Sequence, residues 1–213
     1  MLAARIISIV IGYLFGLFQT GYLYGKTQGI DLRKEGSGNS GSTNSLRVLG
    51  IKAGAITLIG DIGKAVLCIV AVHFLFKGRF PDTVKLLEVY AGAGVVLGHN
   101  FPFYMKFKGG KGIASTAGTL ISVLPMAIPV SLVVFVGVAA ATRYVSLSSI
   151  LMLVSYFVQV IVFGQMGYVP LEGAALYEFY IVNAFICILG IVRHHANINR
   201  LIHGTENKLK FHK

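Results

Sequence analysis

Charge is scarce in this chain. Asp, Glu, Lys and Arg together make up 13% of its 213 residues, and acidic residues number only 8. Soluble domains carry roughly a quarter charged residues, so the composition argues against a soluble globular protein. Hydrophobic residues make up 55% of the chain, and its mean hydropathy is +0.74. We therefore expect an all-α integral membrane protein in the lipid bilayer, built as a single polytopic domain over residues 1–213.

Cysteine is also scarce, and clustered carboxylates are missing. Cys68 and Cys187 lie in apolar runs, which predicts packing residues and neither a disulfide framework nor a zinc site. A hard metal ion would need a group of carboxylates that the sequence does not supply, so we predict no metal and no cofactor. The first apolar run has no evident cleavage site and is interpreted as a first span rather than a signal peptide.

The balance of the few charges is strongly basic. With 19 Lys and Arg against 8 Asp and Glu, the formal net charge is +11. In a membrane protein such an excess indicates first the cytoplasmic face and anionic headgroups, and only second an anionic substrate. Nucleic acid is not expected as a partner, because the basic residues lie between apolar runs and no recognition module is visible.

The apolar runs predict the membrane spans. They cover residues 4–24, 53–76, 86–104, 113–142, 146–166 and 174–192. The fourth run is too long for one span across a ~30 Å core and contains Pro125 and Pro129, which kink or end helices. The basic residues cluster in three polar segments, which we call the first (33–52), second (98–113) and third (193–213) polar segments.

The positive-inside rule then sets the topology. If residues 113–142 cross out and back, all three polar segments lie on the cytoplasmic face as active-site segments. This predicts about seven transmembrane helices, with the N-terminus outside and the C-terminus cytoplasmic. A re-entrant hairpin at 113–142 gives the same sidedness and stays an alternative. The three cations of residues 77–85 would lie outside, which is the main disagreement with the rule.

The first polar segment contains GSGNSGSTNSLR, residues 36–47. Glycines such as Gly38 and Gly41 permit close backbone approach, and successive amides can form an anion-binding nest. Hydroxyls, amides and a guanidinium add contacts suited to phosphate, from Ser37, Asn39, Ser42, Thr43, Asn44 and Arg47. A flexible Gly/Ser linker is the alternative, but the interleaved Asn residues before a membrane helix favour a binding site.

The second polar segment, GHNFPFYMKFKGGKG, ends in a glycine turn that opens into a helix. Such a turn could hold an anion at the helix N-terminus, using Gly109, Gly110, Lys111 and Gly112, with Lys106 nearby. A P-loop is excluded, because glycine follows the lysine where Ser or Thr must hold magnesium. An ordinary basic turn is the alternative. His99 lies beside this loop, which favours a site role over a buried structural histidine.

The third polar segment contains RHHANINRLIHGTEN and is predicted to continue the last span as a helix. Arg193, Asn197 and Arg200 are spaced to share one helical face, with His194 beside them and Glu206 following as a rare acid. A basic juxtamembrane helix that contacts acidic lipids is the alternative.

Two further features lie within or next to spans. Asp61 and Lys64 are three residues apart in an apolar helix and can pair across one turn. Ionisable groups deep in a span indicate function. The alternative is that Lys64 snorkels to the membrane interface. Arg143 and Ser146 lie in RYVSLSSI at a predicted cytoplasmic boundary, where an interfacial Arg–Tyr anchor is an equally good account.

Taken in order, these segments closely resemble the bacterial acyl-phosphate:glycerol-3-phosphate acyltransferase family. The family patterns GSGNxGxTNxxR, GHxFPxxxxFKGGKGxA and RHxxNIxRLxxGxE are all present, and the likeness covers essentially the whole chain. The RYVSLxSI stretch and the Asp-x-x-Lys pair also look like the family. The signature of soluble acyltransferases, an Asp five residues after a His, is absent, since Asp occurs only at positions 31, 61 and 82.

The resemblance implies an enzyme of the bacterial plasma membrane with its active site on the cytoplasmic face. It implies transfer of a fatty acyl group from acyl phosphate to the 1-hydroxyl of sn-glycerol 3-phosphate, giving lysophosphatidic acid and phosphate, the first step of phospholipid synthesis. Catalytic roles would fall to Ser37, Asn39, Thr43, Asn44, Arg47 and His194. Substrate binding would fall to Gly38, Gly41, Lys106, Gly109, Gly110, Lys111, Gly112, Arg143, Ser146, Asn197, Arg200 and Glu206, supported by Asp61, Lys64 and His99.

Direct acyl transfer is the mechanism we expect, because acyl phosphate is already activated and no nucleophilic cysteine or Ser-His-Asp order is evident. The first polar segment would hold the acyl-phosphate headgroup. Glycerol 3-phosphate would be gripped by Lys106, Arg143, Ser146, His194 and Asn197. The attacking hydroxyl would pass its proton to a substrate phosphate oxygen, with His194 as the competing base. A transporter of phosphate or an organophosphate is the alternative function, and the shared sidedness of the polar segments argues against it.

Overall fold

Ten α-helices make up most of residues 1–209, the part of the chain that this computed structural model describes. That range contains no β-strand, so the all-helical prediction is confirmed; Lys210 and Lys213 of the third polar segment lie outside it. The helices are α1 (Leu2–Gly16), α2 (Thr20–Thr27), α3 (Ser42–Leu49), α4 (Ile51–Phe76), α5 (Val84–Asn100), α6 (Ile113–Val123), α7 (Ile128–Thr142), α8 (Val145–Gln165), α9 (Gly173–Val192) and α10 (His195–Ile202).

Proline divides the long fourth apolar run into two helices. Pro125 opens a 3₁₀ turn (Pro125–Ala127) between α6 and α7, and Pro129 occupies the first turn of α7, where a missing amide proton is tolerated. The prediction that residues 113–142 are not one continuous helix is therefore confirmed.

Helices α4 and α5 form the centre of the bundle. α4 packs against α1, α2, α3, α5 and α6, whereas α5 packs against α1, α4, α6 and α9. α7 packs against α8, which also contacts α9. Fully buried side chains such as Leu87, Val95, Leu153 and Phe179 fill the interior. Large apolar side chains, including Leu67 and Val133, are exposed on the outside, as a lipid-facing surface requires.

Five helical stretches within residues 1–209 are long and apolar enough to cross a membrane. They are Leu2–Thr27, Ile51–Phe76, Pro125–Thr142, Val145–Gln165 and Gly173–Val192. α5, with 17 residues, and α6, with 11, are shorter. The structure thus supports a multi-pass membrane protein, whereas the count of seven spans and the sidedness of the termini stay predictions.

Glycines bring the backbones of α1 and α5 into contact. Gly12 and Gly16 of α1 face Gly94 and Gly98 of α5, and each pair is spaced four residues apart along its helix. A Cβ atom at Gly12 would lie 2.2 Å from the carbonyl oxygen of Ala91. Small residues at this spacing allow membrane helices to approach closely, so the two helices pack as one unit.

A cluster of polar side chains joins three helices at the end of the bundle away from the polar segments. Arg5 of α1 donates through Nε and a terminal nitrogen to the two carboxylate oxygens of Glu178 in α9, both at 2.5 Å. The hydroxyl of Tyr90 in α5 donates to the same carboxylate at 2.6 Å. This end is therefore fixed by an ion pair, whereas the opposite end holds the polar segments.

Replacing Gly94 with Ala should destabilise the bundle. The added Cβ would lie 2.3 Å from the main-chain oxygen of Ile9, and such overpacking costs roughly 1–3 kcal/mol. We expect a lower melting temperature for the detergent-solubilised variant. Gly137→Ala is the matched control, because nothing lies within 4 Å of its added Cβ and alanine favours a helix. Equal melting temperatures for the two variants would contradict the close contact.

Candidate active site

The three polar segments meet at one end of the bundle, around a cavity of about 350 Å³. Its polar wall is formed by residues of the loop before α3 and of α3 itself, of the turn before α6, of the start of α8 and of the segment from His194 to Glu206 that contains α10, with one residue each from α4 and α5. They include Ser37, Asn39, Thr43, Asn44, Arg47, Lys111, Ser146, His194, Asn197, Arg200 and Glu206, together with Gly41, Gly112, Asp61 and His99. Most of the residues selected from the sequence are therefore neighbours, while their individual roles stay predictions.

Asn44 shapes the loop that precedes α3. Its buried Oδ1 accepts a hydrogen bond from the amide of Ser37 at 2.8 Å, and its Nδ2 donates to the carbonyls of Leu32 (3.1 Å) and Glu35 (3.0 Å). Gly38 in this loop has φ of +70°, which glycine adopts without strain. The amide of Asn44 thus holds the loop, which leaves its neighbours to face the cavity.

The first turn of α3 supplies polar groups to the cavity. The helix starts at Ser42, and a helix N-terminus favours an anion. Thr43 and Arg47 are one turn apart and both line the cavity. Arg47 is exposed and makes no side-chain hydrogen bond within residues 1–209, so its guanidinium is available to a phosphate.

The glycine turn of the second polar segment is tightly packed. The amide of Gly110 donates to the carbonyl of His99 at 3.1 Å, and a Cβ at Gly110 would lie 2.0 Å from Nε2 of His99. A terminal nitrogen of Arg193 donates to the carbonyls of Gly109 (3.2 Å) and Gly110 (3.1 Å). Glycine is needed here to let the turn lie against His99, which the prediction of an anion site at the following helix N-terminus did not include.

A chain of polar contacts connects the second and third polar segments. Nζ of Lys111 donates to Oδ1 of Asn197, whose Nδ2 donates to Glu206 at 2.9 Å. Nε of Arg200 pairs with the second carboxylate oxygen of Glu206 at 2.9 Å. Burial lowers the pKa of Lys111 to about 8, and the negative charge of Glu206 partly opposes that shift.

His194 lies in a break between two helices. The sequence predicted one helix running from the last span through Arg200, but α9 ends at Val192 and α10 starts at His195. Nδ1 of His194 donates to the carbonyl of Gly190 at 2.7 Å. This bond gives a hydrogen-bond donor to a carbonyl in the last turn of α9. The break turns Arg193 toward the glycine turn, where it lines a second cavity that Asn197 and Arg200 also line.

The ring of His194 has only its Nε2 atom free to accept a proton. Because Nδ1 donates to a carbonyl, Nε2 carries no proton in the neutral ring. Burial, together with the positive charge of Lys111, lowers the pKa of His194 to about 4. The imidazole is therefore neutral at physiological pH.

Asp61, Lys64 and His99 form a buried network behind the cavity. Lys64 pairs with Asp61 at 2.9 Å, as the i, i+3 spacing predicted. Its ammonium also lies 2.8 Å from Nδ1 of His99 and donates to the carbonyl of Phe18 at 2.7 Å. Phe18 lies between α1 and α2, so Lys64 satisfies a main-chain oxygen where the first helix breaks.

Gln19 also supports the site, and the sequence analysis missed it. Its buried Nε2 donates to the carbonyl of His99 at 2.9 Å, and its Oε1 accepts from Ser40 at 3.3 Å. It thereby links the first and second polar segments. A lone Gln in an apolar run carries no spacing pattern, so only its burial in the structure identifies it.

Several predicted residues lie outside the cavity wall. Lys106 and Arg143 line neither this cavity nor the one adjoining it; both are exposed and both have positive φ. The carbonyl of Arg143 accepts from the amide of Leu209 at 2.8 Å. Gly38 and Gly109 line the adjoining cavity. Within residues 1–209, no group of three His, Cys, Asp or Glu side chains could hold a metal ion.

Comparison with known proteins identifies the family. The family model for glycerol-3-phosphate acyltransferase matches residues 6–204. The glycerol-3-phosphate acyltransferase of Clostridioides difficile is 39% identical over 206 residues, covering 96% of this chain and 95% of that protein. The corresponding protein of Halalkalibacterium halodurans is also 39% identical, with 94% of each chain covered. The chain belongs to this family.

Solved structures agree with the sequence comparison. The crystal structure of PlsY (YgiH), an integral membrane glycerol 3-phosphate acyltransferase, in its glycerol 3-phosphate form matches with a TM-score of 0.84 at 32% identity. The match covers 97% of this chain and 96% of that one. The lysophosphatidic acid form matches with a TM-score of 0.81. The resemblance drawn from the three motifs is thus confirmed, as is an integral membrane fold.

Removing Lys64 from this acyltransferase should cost much of its stability. Lys64→Met leaves Asp61 as an unpaired buried charge, and breaking a buried pair in this way costs roughly 3–5 kcal/mol. The double variant Asp61→Asn/Lys64→Met carries no uncompensated charge and should recover part of the loss. Denaturant unfolding of the parent, the single variant and the double variant measures how strongly Asp61 and Lys64 stabilise each other. A double variant less stable than Lys64→Met would contradict this pairing.

The activity of this acyltransferase should depend on the charge of Lys111. The pKa of Lys111 is about 8, so its positive charge is present below that pH and is lost as pH rises through it. We expect initial acyltransfer rates to fall above pH 8 in the parent protein. Lys111→Arg keeps its charge, so its rate should stay level to higher pH. The same alkaline limb in both proteins would assign it to another group.

Proposed function

We propose that this chain transfers a fatty acyl group from acyl phosphate to the 1-hydroxyl of sn-glycerol 3-phosphate, giving lysophosphatidic acid and inorganic phosphate. The observation that carries the proposal is the composition of one cavity. Its polar end combines cations and amides from all three polar segments, and its remainder is an apolar groove between α6, α7 and α8. A phosphate joined to a long acyl chain fits such a lining.

The groove continues from the polar wall along the membrane helices. Its lining consists of Leu120 and Ile121 of α6, Ile128, Leu132 and Phe135 of α7, and Met152 of α8. Apolar lining of this kind stabilises a fatty chain by removing its surface from water. The acyl group would therefore lie in the groove while its phosphate lies at the polar end, which brings the carbonyl carbon to the boundary between them.

The polar residues divide between two substrates in this proposal. The first polar segment, with Ser37, Thr43 and Arg47, holds the phosphate of the acyl donor. Ser146, His194 and Asn197 hold glycerol 3-phosphate, and Lys111 lies between the two sets. Ser146 supports this role, because its Oγ is buried, lines the cavity and has no hydrogen-bond partner within residues 1–209. Lys106 and Arg143 stay sequence-based predictions.

The reaction in this arrangement is a direct transfer. The 1-hydroxyl oxygen attacks the carbonyl carbon, the bond from that carbon to the phosphate oxygen breaks, and phosphate leaves. Positioning and cationic stabilisation of the developing charge supply the acceleration. The hydroxyl proton passes to a phosphate oxygen of a substrate, with Nε2 of His194 as the competing acceptor.

The proposed topology has the polar end on the cytoplasmic face of the plasma membrane, the N-terminus outside and about seven crossings. Lys111, before α6, and Ser146, at the start of α8, line one cavity, which supports an out-and-back course for residues 113–142. α6 has 11 residues and is about 16 Å long, against a ~30 Å core. A re-entrant hairpin would give the same sidedness.

Purified, detergent-solubilised protein should release phosphate from acyl phosphate only when glycerol 3-phosphate is present. The expected second product is lysophosphatidic acid, because the acyl group moves to the hydroxyl. Coupled phosphate release and mass spectrometry of the lipid fraction measure the two products. Background hydrolysis alone, in a folded preparation, would contradict the proposal, and uptake of glycerol 3-phosphate into proteoliposomes would then test the transporter alternative.

His194→Ala distinguishes the two proton acceptors. With a substrate oxygen as acceptor, the loss of maximal rate should stay below about 100-fold, the lower bound of typical general-base contributions. The matched control is His195→Ala, since His195 is its exposed neighbour and should leave the rate unchanged. A loss of several orders of magnitude in maximal rate, with both Michaelis constants intact, would assign the base to His194 instead.

A further inference from the structure

A second cavity, of about 390 Å³, adjoins the first. Its lining is almost free of apolar side chains, with Ala196 as the exception. Six of its lining side chains are cationic and one is acidic: Arg33, Lys34, Lys108, Lys111, Arg193 and Arg200, with Asp31. The two cavities therefore differ in lining, since the first combines a polar end with a groove for an acyl chain, whereas charged and polar residues line nearly all of the second.

The acidic residue of the second cavity is already neutralised. The guanidinium of Arg33 makes two hydrogen bonds to the carboxylate of Asp31, at 2.9 and 2.7 Å. Lys34 and Lys108 are exposed and form no ion pair within residues 1–209. The second cavity thus presents two accessible ammonium groups, in addition to the cations that it shares with the first.

A common wall separates the two cavities. Ser37, Asn39, Lys111, Asn197 and Arg200 line both of them. An anion held at the polar end of the first cavity would therefore be one side-chain layer away from the second. Arg193 adds to the second cavity alone, and its Nε is buried without a hydrogen-bond partner among the described residues.

The proposed reaction gives two products that need different ways out. Lysophosphatidic acid carries an acyl chain and can leave along the apolar groove into lipid. Inorganic phosphate is a mixture of monoanion and dianion near pH 7, and apolar surroundings penalise charge severely. A cationic, polar cavity next to the reacting groups meets this need, and it suits equally the arrival of glycerol 3-phosphate, which has the same phosphate chemistry.

We propose that the second cavity is an accessory binding site for phosphate dianions, in which Lys34 and Lys108 guide the small anion to or from the shared wall. This proposal rests on the proposed function. Neither lysine contacts the reacting atoms; both act by raising the local concentration of the anion, as clefts lined by one sign of charge do.

The test compares Lys34→Gln/Lys108→Gln with the parent protein. Initial rates are measured with acyl phosphate saturating, over a range of glycerol 3-phosphate and of added inorganic phosphate, at low and moderate ionic strength. We expect kcat/KM for glycerol 3-phosphate to be about 3- to 10-fold lower in the double variant than in the parent at low salt. We also expect kcat/KM of the variant to depend less on salt than that of the parent. We also expect inhibition by phosphate to weaken by a similar factor, while the KM for acyl phosphate and the maximal rate stay the same.

Lys52→Gln provides the matched control. Lys52 is exposed near the start of α4 and lines neither cavity, so removing its one positive charge should change neither quantity. The single variants Lys34→Gln and Lys108→Gln are compared with it charge for charge. Chemical rescue adds a second control. Treating Lys34→Cys and Lys108→Cys with aminoethyl methanethiosulfonate restores a positive charge and should restore kcat/KM for glycerol 3-phosphate. The anionic sulfonatoethyl reagent should not restore it. Both native cysteines are buried, which limits background labelling.

The outcomes separate the two sources of phosphate. A change confined to kcat/KM for glycerol 3-phosphate assigns the cavity to the incoming substrate, and a change confined to phosphate inhibition assigns it to the product; either supports an accessory site. If both quantities match those of the Lys52→Gln control, the accessory site does not exist. Absence of glycerol 3-phosphate-dependent phosphate release in the parent protein would instead refute the proposed function.

Discussion

The ammonium group of Lys64 holds together the parts of the site that come from different helices. It pairs with Asp61, contacts His99 and donates to the carbonyl of Phe18, where α1 gives way to α2. An unpaired carbonyl in apolar surroundings costs several kcal/mol, so this charge permits the first helix to break inside the bundle. The break allows the first polar segment to reach the cavity, and the position of His99 fixes the glycine turn.

Two features of the site were predictable because each has a local signal. Polar runs stand out in an apolar chain, and Asp61 and Lys64 have the spacing of neighbours on a helix. The contribution of Gln19 was not predictable, since its partners Ser40 and His99 are 21 and 80 residues away. The break before α10 was hidden too, because the residues around His194 continue the helical periodicity of α9.

The glycine-rich segments combine two functions that sequence patterns alone do not separate. In the first polar segment, Gly38 adopts a backbone conformation that other residues disfavour. In the second, Gly110 permits contact with His99, and Arg193 donates hydrogen bonds to the carbonyls of the turn. Loss of a glycine would therefore move a loop in one case and separate two buried groups in the other, although both changes would reduce activity.

The glycine contact between α1 and α5 has a consequence for biosynthesis. Gly12 and Gly94 lie on helices that emerge from the ribosome far apart in time, and three other helices are made between them. Until α5 enters the bilayer, the small-residue face of α1 has lipid as its only neighbour. The cavity therefore cannot assemble while the first helices are inserted. Because α8 and α10 also line it, the enzyme acquires a complete active site only after nearly the whole chain has been translated.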